Sequence, residues 1–166
     1  ATLSASARLI GHWKEDTELL DACRTNPFPA DPDPALHGLF AYGVRNSFGL
    51  AFDPVTQRFW DTENGQERMD EINLVDPGSN SGWGILMGPE SRDPEGEDRG
   101  DLVDLLPQST YSDPEFSFLQ NIGITSLAFL SGSALGPGYD DGVLVGYSTL
   151  GQLYLFRLNG APDGFA

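Results

Sequence analysis

Residues 39–78 carry the clearest signal of the fold: LFAYGVRNSFGLAFDPVTQRFWDTENGQERMDEINLVDPG. Short runs rich in aromatic and branched apolar side chains (LFAYG, GLAF, RFWDTE and EINLV) alternate here with turn signals such as Asp53-Pro54 and Pro77-Gly78. Proline and glycine at this spacing are typical of strands joined by tight turns. The stretch therefore predicts three or four short β-strands.

A second series of strand-like runs follows, SLAFL at 126–130, GVLVGY at 142–147 and QLYLFRL at 152–158. The two series align in order as three pairs of segments, 50–52 with 127–129, 58–62 with 143–147, and 71–75 with 153–157. A repeated unit of three or four strands is typical of the blades of a β-propeller. We expect an all-β chain that forms part of a propeller, and a β-sandwich is the structural alternative.

The rest of the chain divides the molecule into two predicted regions. Residues 1–34 combine a possible amphipathic helix, up to about residue 26, with the proline-rich connector PFPADPDP at 27–34. Residues 35–166 hold the blades, with a predicted surface loop at 84–115. A blade takes about 40–45 residues and closure needs at least four blades, so we expect about two to three blades here.

Composition restricts the partners. The formal net charge is −16 with only nine Lys and Arg residues, which opposes binding to nucleic acid because phosphate contacts require clustered basic side chains. No run approaches the roughly twenty apolar residues that span a bilayer, and the N-terminus lacks the pattern of a signal peptide. The single cysteine, Cys23, cannot form an internal disulfide.

Several motifs occur in a fixed order: YGVRNSFGLAFDP at 42–54, TENG at 62–65, DEINL at 70–74 and PGSNSGW at 77–83. Together with YSDPEFS at 111–117 and GQLYLF at 151–156, they resemble the glucose/sorbosone dehydrogenase family over roughly residues 38–158. The resemblance implies a six-bladed propeller that oxidises the anomeric carbon of a small aldose and passes a hydride to pyrroloquinoline quinone held against Ca²⁺. It also implies a periplasmic or secreted protein.

The resemblance implies that Arg45 and Asn46 contact the quinone. A guanidinium suits this role because it pairs bidentately with carboxylates. Phe48 stands where many family members have a glutamine that contacts the quinone, so we include it in the predicted cofactor site. Without a cofactor, Arg45 would instead pair with Glu63 or Asp70.

The resemblance places the active-site calcium on the backbone carbonyls of Gly65 and Gln66. Asp70 and Glu71 follow where the family has acidic residues around its calcium-binding region, and oxygen ligands suit this hard cation. We predict these four residues as the metal site. A solvated acidic pair is the alternative for Asp70 and Glu71.

The histidine that the family uses as general base is not found in this sequence. Neither His12 nor His37 lies in a matching motif, so the catalytic residue is unknown. The alternative function is therefore a non-catalytic propeller fragment or a calcium-binding interaction module. The exposed edges of an incomplete propeller would also be able to pair with another chain.

Overall fold

The computed structural model describes residues 34–92, 99–103, 109–130, 135–136, 138–140, 142–158 and 165. The predicted N-terminal helix, and all of the connector except Pro34, lie outside these ranges. The described residues form nine strands and no α-helix. The strands are β1 Ser47–Phe52, β2 Phe59–Glu63, β3 Arg68–Val75, β4 Ser79–Asn80, β5 Thr110–Tyr111, β6 Phe116–Gln120, β7 Ile124–Phe129, β8 Gly142–Tyr147 and β9 Gln152–Arg157. Short 3₁₀ turns occur at Pro34–Gly38, Glu90–Arg92 and Arg99–Asp101.

The first sheet is antiparallel, with the strand order β1-β2-β3-β6. Its first hairpin is closed by Asp53, whose carboxylate accepts hydrogen bonds from the Val55 N–H at 2.9 Å and the Thr56 hydroxyl at 2.5 Å. An aspartate that bonds to its own following turn favours a tight connection. The turn sets the pairing of Phe52 with Phe59 and therefore the register of the sheet.

The second sheet, β7-β8-β9, repeats the first three strands of the first sheet. The predicted correspondence of strands is confirmed, but its alignment is off by one residue in the second and third strands. Phe52 and Phe129 are equivalent, and they pair with Phe59 and Val143, so Val143 corresponds to Phe59 rather than to Arg58. A shift of one residue exchanges the two faces of a strand, so only the paired register identifies equivalent side chains.

The hydrophobic core lies between the two sheets. Paired residues point to the same face, which places Trp60, Ile72 and Leu74 of the first sheet against the second. From the other side come Ile124, Leu127, Val143 and Val145, and Phe129 contacts the Trp60 ring edge-on at 6.1 Å between centroids. Burial of each such side chain contributes about 1.5–3 kcal/mol, so this layer is the main stabilisation that joins the sheets.

The segment Leu39–Gly43 was predicted as a strand, and this prediction is wrong. Tyr42 makes only an isolated parallel bridge to Asn80, next to the parallel pair of β4 and β5. The strand β5 also interrupts the region predicted as a loop, of which residues 93–98 and 104–108 lie outside the described ranges. In the part of the chain that the structure describes, no helix has the length and hydrophobicity needed to cross a membrane.

Candidate cofactor-binding site

Most residues predicted for the site lie in loops at one end of the two sheets. Because the strands are antiparallel, the start of β1, the β2–β3 loop and the β6–β7 loop meet at this end. Asn64 connects them: its N–H donates to the Asn46 carbonyl at 3.0 Å and its side-chain amide to the Ile124 carbonyl at 2.7 Å. We call this set of loops, residues 44–46, 64–67 and 121–123, the loop end.

Arg45 lies at the loop end, and only part of its guanidinium is hydrogen-bonded to the described residues. Its Nη1 donates to the Asn64 carbonyl at 2.7 Å, and the guanidinium carbon lies 5.1 Å from the centroid of the Trp83 ring. The buried Nε has no hydrogen-bond partner among the described residues. A buried guanidinium N–H without an acceptor is costly, so this atom is suited to an acceptor that lies outside the described residues.

Asn46 and Phe48 lie close to Arg45 in the chain and are both exposed. The Asn46 side chain is open to solvent, while its carbonyl is bonded to Asn64. Phe48 leaves 66% of its surface exposed, which is unusual for an aromatic side chain in a strand. A large exposed aromatic ring is suited to stacking on a planar ligand.

Both backbone polar groups of Gly65 are hydrogen-bonded. Its N–H donates to Oδ1 of Asp70 at 3.0 Å, and its carbonyl accepts from the side-chain amide of Asn121 at 2.9 Å. A Cβ at this position would lie 1.8 Å from the Arg68 carbonyl oxygen, so the tight turn requires glycine. The next residue, Gln66, is exposed.

The four predicted metal ligands do not converge. Asp70 and Glu71 are neighbours in β3, so their side chains point to opposite faces of the first sheet. Asp70 faces the second sheet, whereas Glu71 accepts a hydrogen bond from the Gly88 N–H on the other face. In the described ranges, no group of three or more His, Cys, Asp or Glu side chains is arranged to hold a metal ion. Calcium binding by these residues stays a prediction, and the carbonyls of Gly65 and Gln66 are the donors that share one loop.

A cluster of buried carboxyl groups, Asp61, Glu63 and Glu71, lies on the face of the first sheet that carries Glu71. Glu63 pairs with Glu71 across the sheet, and Asp61 precedes Glu63 by two residues on the same face. All three are at most 3% exposed, and Oδ1 of Asp61 and Oε2 of Glu63 have no hydrogen-bond partner within the described residues.

Burial dominates the electrostatics of this cluster. It raises the pKa of Glu63 to about 8, and the charges of Asp61 and Glu71 add to the rise, while the Arg45 N–H that bonds to Glu63 opposes it. Burial likewise raises the pKa of Glu71 to about 7 and that of Asp61 to about 6. Carboxyl groups in such surroundings favour the neutral form. Glu63 therefore keeps its proton near neutral pH while it accepts the hydrogen bond from the Arg45 backbone N–H.

Sequence reasoning had left open whether Arg45 pairs with Glu63 or Asp70. The contact with Glu63 exists, but it is made by the backbone N–H of Arg45 rather than by its guanidinium. The sequence also gave no indication of Asn121, which reaches Gly65 from 56 positions away in the chain. The acidic cluster could have been found by reading Asp61 and Glu63 as alternate residues of one strand. His37 is exposed in its 3₁₀ turn, and His12 lies outside the described residues.

Comparison with known proteins agrees with this architecture. The model of the glucose/sorbosone dehydrogenase family matches residues 18–163. Aldose sugar dehydrogenase YliI of Escherichia coli is 38% identical over 58 residues, which cover 35% of this chain and 15% of that protein.

Two solved structures show the same fold. The soluble aldose sugar dehydrogenase of E. coli in its apo form superposes with a TM-score of 0.64 at 22% identity, covering 85% of this chain and 39% of the other. The pyrroloquinoline quinone-bound aldose sugar dehydrogenase of Streptomyces coelicolor gives a TM-score of 0.56 at 25% identity, covering 85% and 34%. The chain thus spans less than half the length of these proteins. The predicted partial all-β propeller is confirmed, with a four-stranded and a three-stranded sheet as its blades.

Proposed function

Because the chain belongs to the glucose/sorbosone dehydrogenase family, we propose that it supplies part of the cofactor-binding end of a quinone-dependent aldose sugar dehydrogenase. The observation that carries the proposal is the buried Nε of Arg45, which has no partner among the described residues, three positions before the exposed ring of Phe48 in the chain. A planar quinone that bears carboxylates offers both the acceptor and the stacking surface that these two residues lack.

Arg45 binds and orients the cofactor in this proposal. Its Nη1 is already fixed by the Asn64 carbonyl and its guanidinium carbon lies over the Trp83 ring, so the direction of Nε is restricted before any ligand arrives. Such preorganisation lowers the entropy cost of binding. Asn46, exposed next to Arg45, adds an amide donor. The bound quinone would accept the hydride from C1 of the sugar.

The loop that begins with Gly65 and Gln66 would hold Ca²⁺ through its two carbonyl oxygens. Calcium takes six to eight oxygen ligands, so two carbonyls are only part of a site, and the cofactor and other segments would supply the remainder. Glu63, protonated near neutral pH, would add no negative charge next to the Arg45 backbone N–H. The loop end would thereby remain favourable for an anionic ligand despite the acidic chain.

The test is a calorimetric titration of the 166-residue chain with pyrroloquinoline quinone, with Ca²⁺ and again with excess EDTA. Calcium-dependent binding is expected for the wild type, and Arg45→Gln should weaken it about tenfold or more, because a charged hydrogen bond contributes about 1.5–3 kcal/mol. The matched control is Arg157→Gln. Arg157 bonds to the Gly138 carbonyl at the opposite end of the sheets and should leave the affinity unchanged.

The proposal fails if the wild-type chain binds no quinone at any calcium concentration while circular dichroism shows that it is folded. It also fails if Arg45→Gln and Arg157→Gln have the same affinity as the wild type. The first result would favour a family member that keeps the propeller scaffold without the cofactor, and the second would place the cofactor away from Arg45.

A further inference from the structure

Asp70, in β3, is bonded to backbone groups of the loop end through both carboxylate oxygens. It is 0% exposed, and both carboxylate oxygens accept backbone hydrogen bonds. Oδ2 accepts from the N–H groups of Ile122, Gly123 and Ile124 at 2.8, 2.8 and 3.1 Å, and Oδ1 accepts from the Gly65 N–H at 3.0 Å. A buried carboxylate needs such donors to offset its lost hydration.

These four hydrogen bonds join the two sheets. Ile122 to Ile124 form the connection from the first sheet into β7, and Gly65 lies in the β2–β3 loop of the first sheet. The same loop is tied a second time, because Asn121 donates to the Gly65 carbonyl. Asp70 therefore fixes Gly65 against the loop that supplies Asn121, and a movement of one loop requires a movement of the other.

From this geometry we infer that Asp70 is a positioning residue, which holds the Gly65 carbonyl in place for the proposed calcium and quinone. This inference rests on the proposed function. It differs from a ligand role for Asp70, because the carboxylate acts through backbone N–H groups and points toward the second sheet. In this inference Asp70 orders the β2–β3 loop, and it does not supply an oxygen ligand to the ion.

The variant that tests the inference is Asp70→Asn in the 166-residue chain. Asparagine has nearly the same shape but only one acceptor oxygen. That oxygen satisfies most donors when it faces Ile122 to Ile124, which leaves the amide NH₂ opposite the Gly65 N–H. The substitution should therefore release Gly65 while the β6–β7 loop stays bonded. The matched control is Asp76→Asn, which removes the charge that pairs with Arg58 at the far end of β3.

Two measurements are made well below the unfolding temperature. Amide hydrogen exchange by NMR should show at least about tenfold faster exchange at Gly65 in Asp70→Asn, with no change there in Asp76→Asn. Quinone titration with Ca²⁺ should show about tenfold weaker binding for Asp70→Asn only, since one charged hydrogen bond that orders the loop is lost. A residue that only stabilised the fold would speed exchange at Gly65 and at Ile122 to Ile124 alike, and it would leave the quinone affinity unchanged.

The wild type provides a further measurement that holds even if Asp70→Asn does not fold. If Asp70 joins the loops, the Gly65 amide should exchange as slowly as those of Ile122 to Ile124. An unprotected Gly65 amide would overturn the inference, and so would a folded Asp70→Asn with wild-type quinone affinity. If the wild type binds no quinone, the proposed function is refuted, and the exchange data alone decide whether Asp70 positions Gly65.

Discussion

The buried carboxyl group of Glu63 makes the stability of the protein depend on pH in an unusual direction. Its pKa rises from 4.5 to about 8 on folding, chiefly because burial disfavours the charged form. The folded state thus binds this proton more tightly than the unfolded state. The corresponding stabilisation is complete below about pH 4.5 and is lost as the pH rises through about 8.

The size of the effect follows from the shift in pKa. Each unit corresponds to about 1.4 kcal/mol, so a rise from 4.5 to about 8 removes on the order of several kcal/mol of unfolding free energy by pH 9. Glu63→Gln replaces the protonated carboxyl group with a neutral group of similar shape whose oxygen can still accept the Arg45 N–H. We expect the variant to be more stable than the wild type at pH 9, by about 2–4 kcal/mol, and similar to it at pH 5.

The assay is urea unfolding at pH 5, 7 and 9 with EDTA, so that bound cations do not contribute. Asp61 and Glu71, with pKa values of about 6 and 7, will leave the variant some pH dependence below pH 7. The interval from pH 7 to 9 therefore reports on Glu63. Glu67→Gln, at an exposed carboxylate in the adjoining β2–β3 loop, is the control and should follow the wild type. If Glu63→Gln loses as much stability from pH 7 to 9 as the wild type, the reasoning is refuted.

Two further predictions concern the contact between the sheets. Gly49→Ala should destabilise the fold by about 1–3 kcal/mol in urea unfolding, because its Cβ would lie 2.7 Å from the Thr125 carbonyl oxygen. The control is Gly38→Ala, which should be neutral because no atom lies within 4 Å of a new Cβ there. Equal effects of the two substitutions on stability would exclude a steric cause. Trp60→Ala should lower the free energy of unfolding by about 3–5 kcal/mol, because it removes a side chain at the centre of the core. Phe48→Ala, at an exposed side chain, should change it little. A Trp60 variant within about 1 kcal/mol of the wild type would contradict the assigned core.

Much of the fold could be predicted because strand signals are local. Asp53-Pro54 marks the first hairpin turn, and the aromatic run that starts at Phe59 marks β2. The repeat was visible for the same reason, since each blade carries its own strands and turns. Its alignment was off by one residue because similarity of short apolar runs does not set the register, which depends on turns and pairing. Leu39–Gly43 does hydrogen-bond along residues 78–83, but it forms only the isolated bridge of Tyr42 to Asn80, and apolar composition alone does not show how regular a pairing will be.

The predicted site shows where reading along the chain fails. Asp70 and Glu71 are adjacent, and adjacent acids read from sequence alone look like two ligands of one ion. Once β3 is known to be a strand, alternation requires their side chains to lie on opposite faces of the sheet. Asp70 then meets the N–H groups of the β6–β7 loop, while Glu71 meets Glu63, its partner in the register of β2 and β3. Each carboxyl group is explained by what the facing element presents to it, and those elements come from distant parts of the sequence.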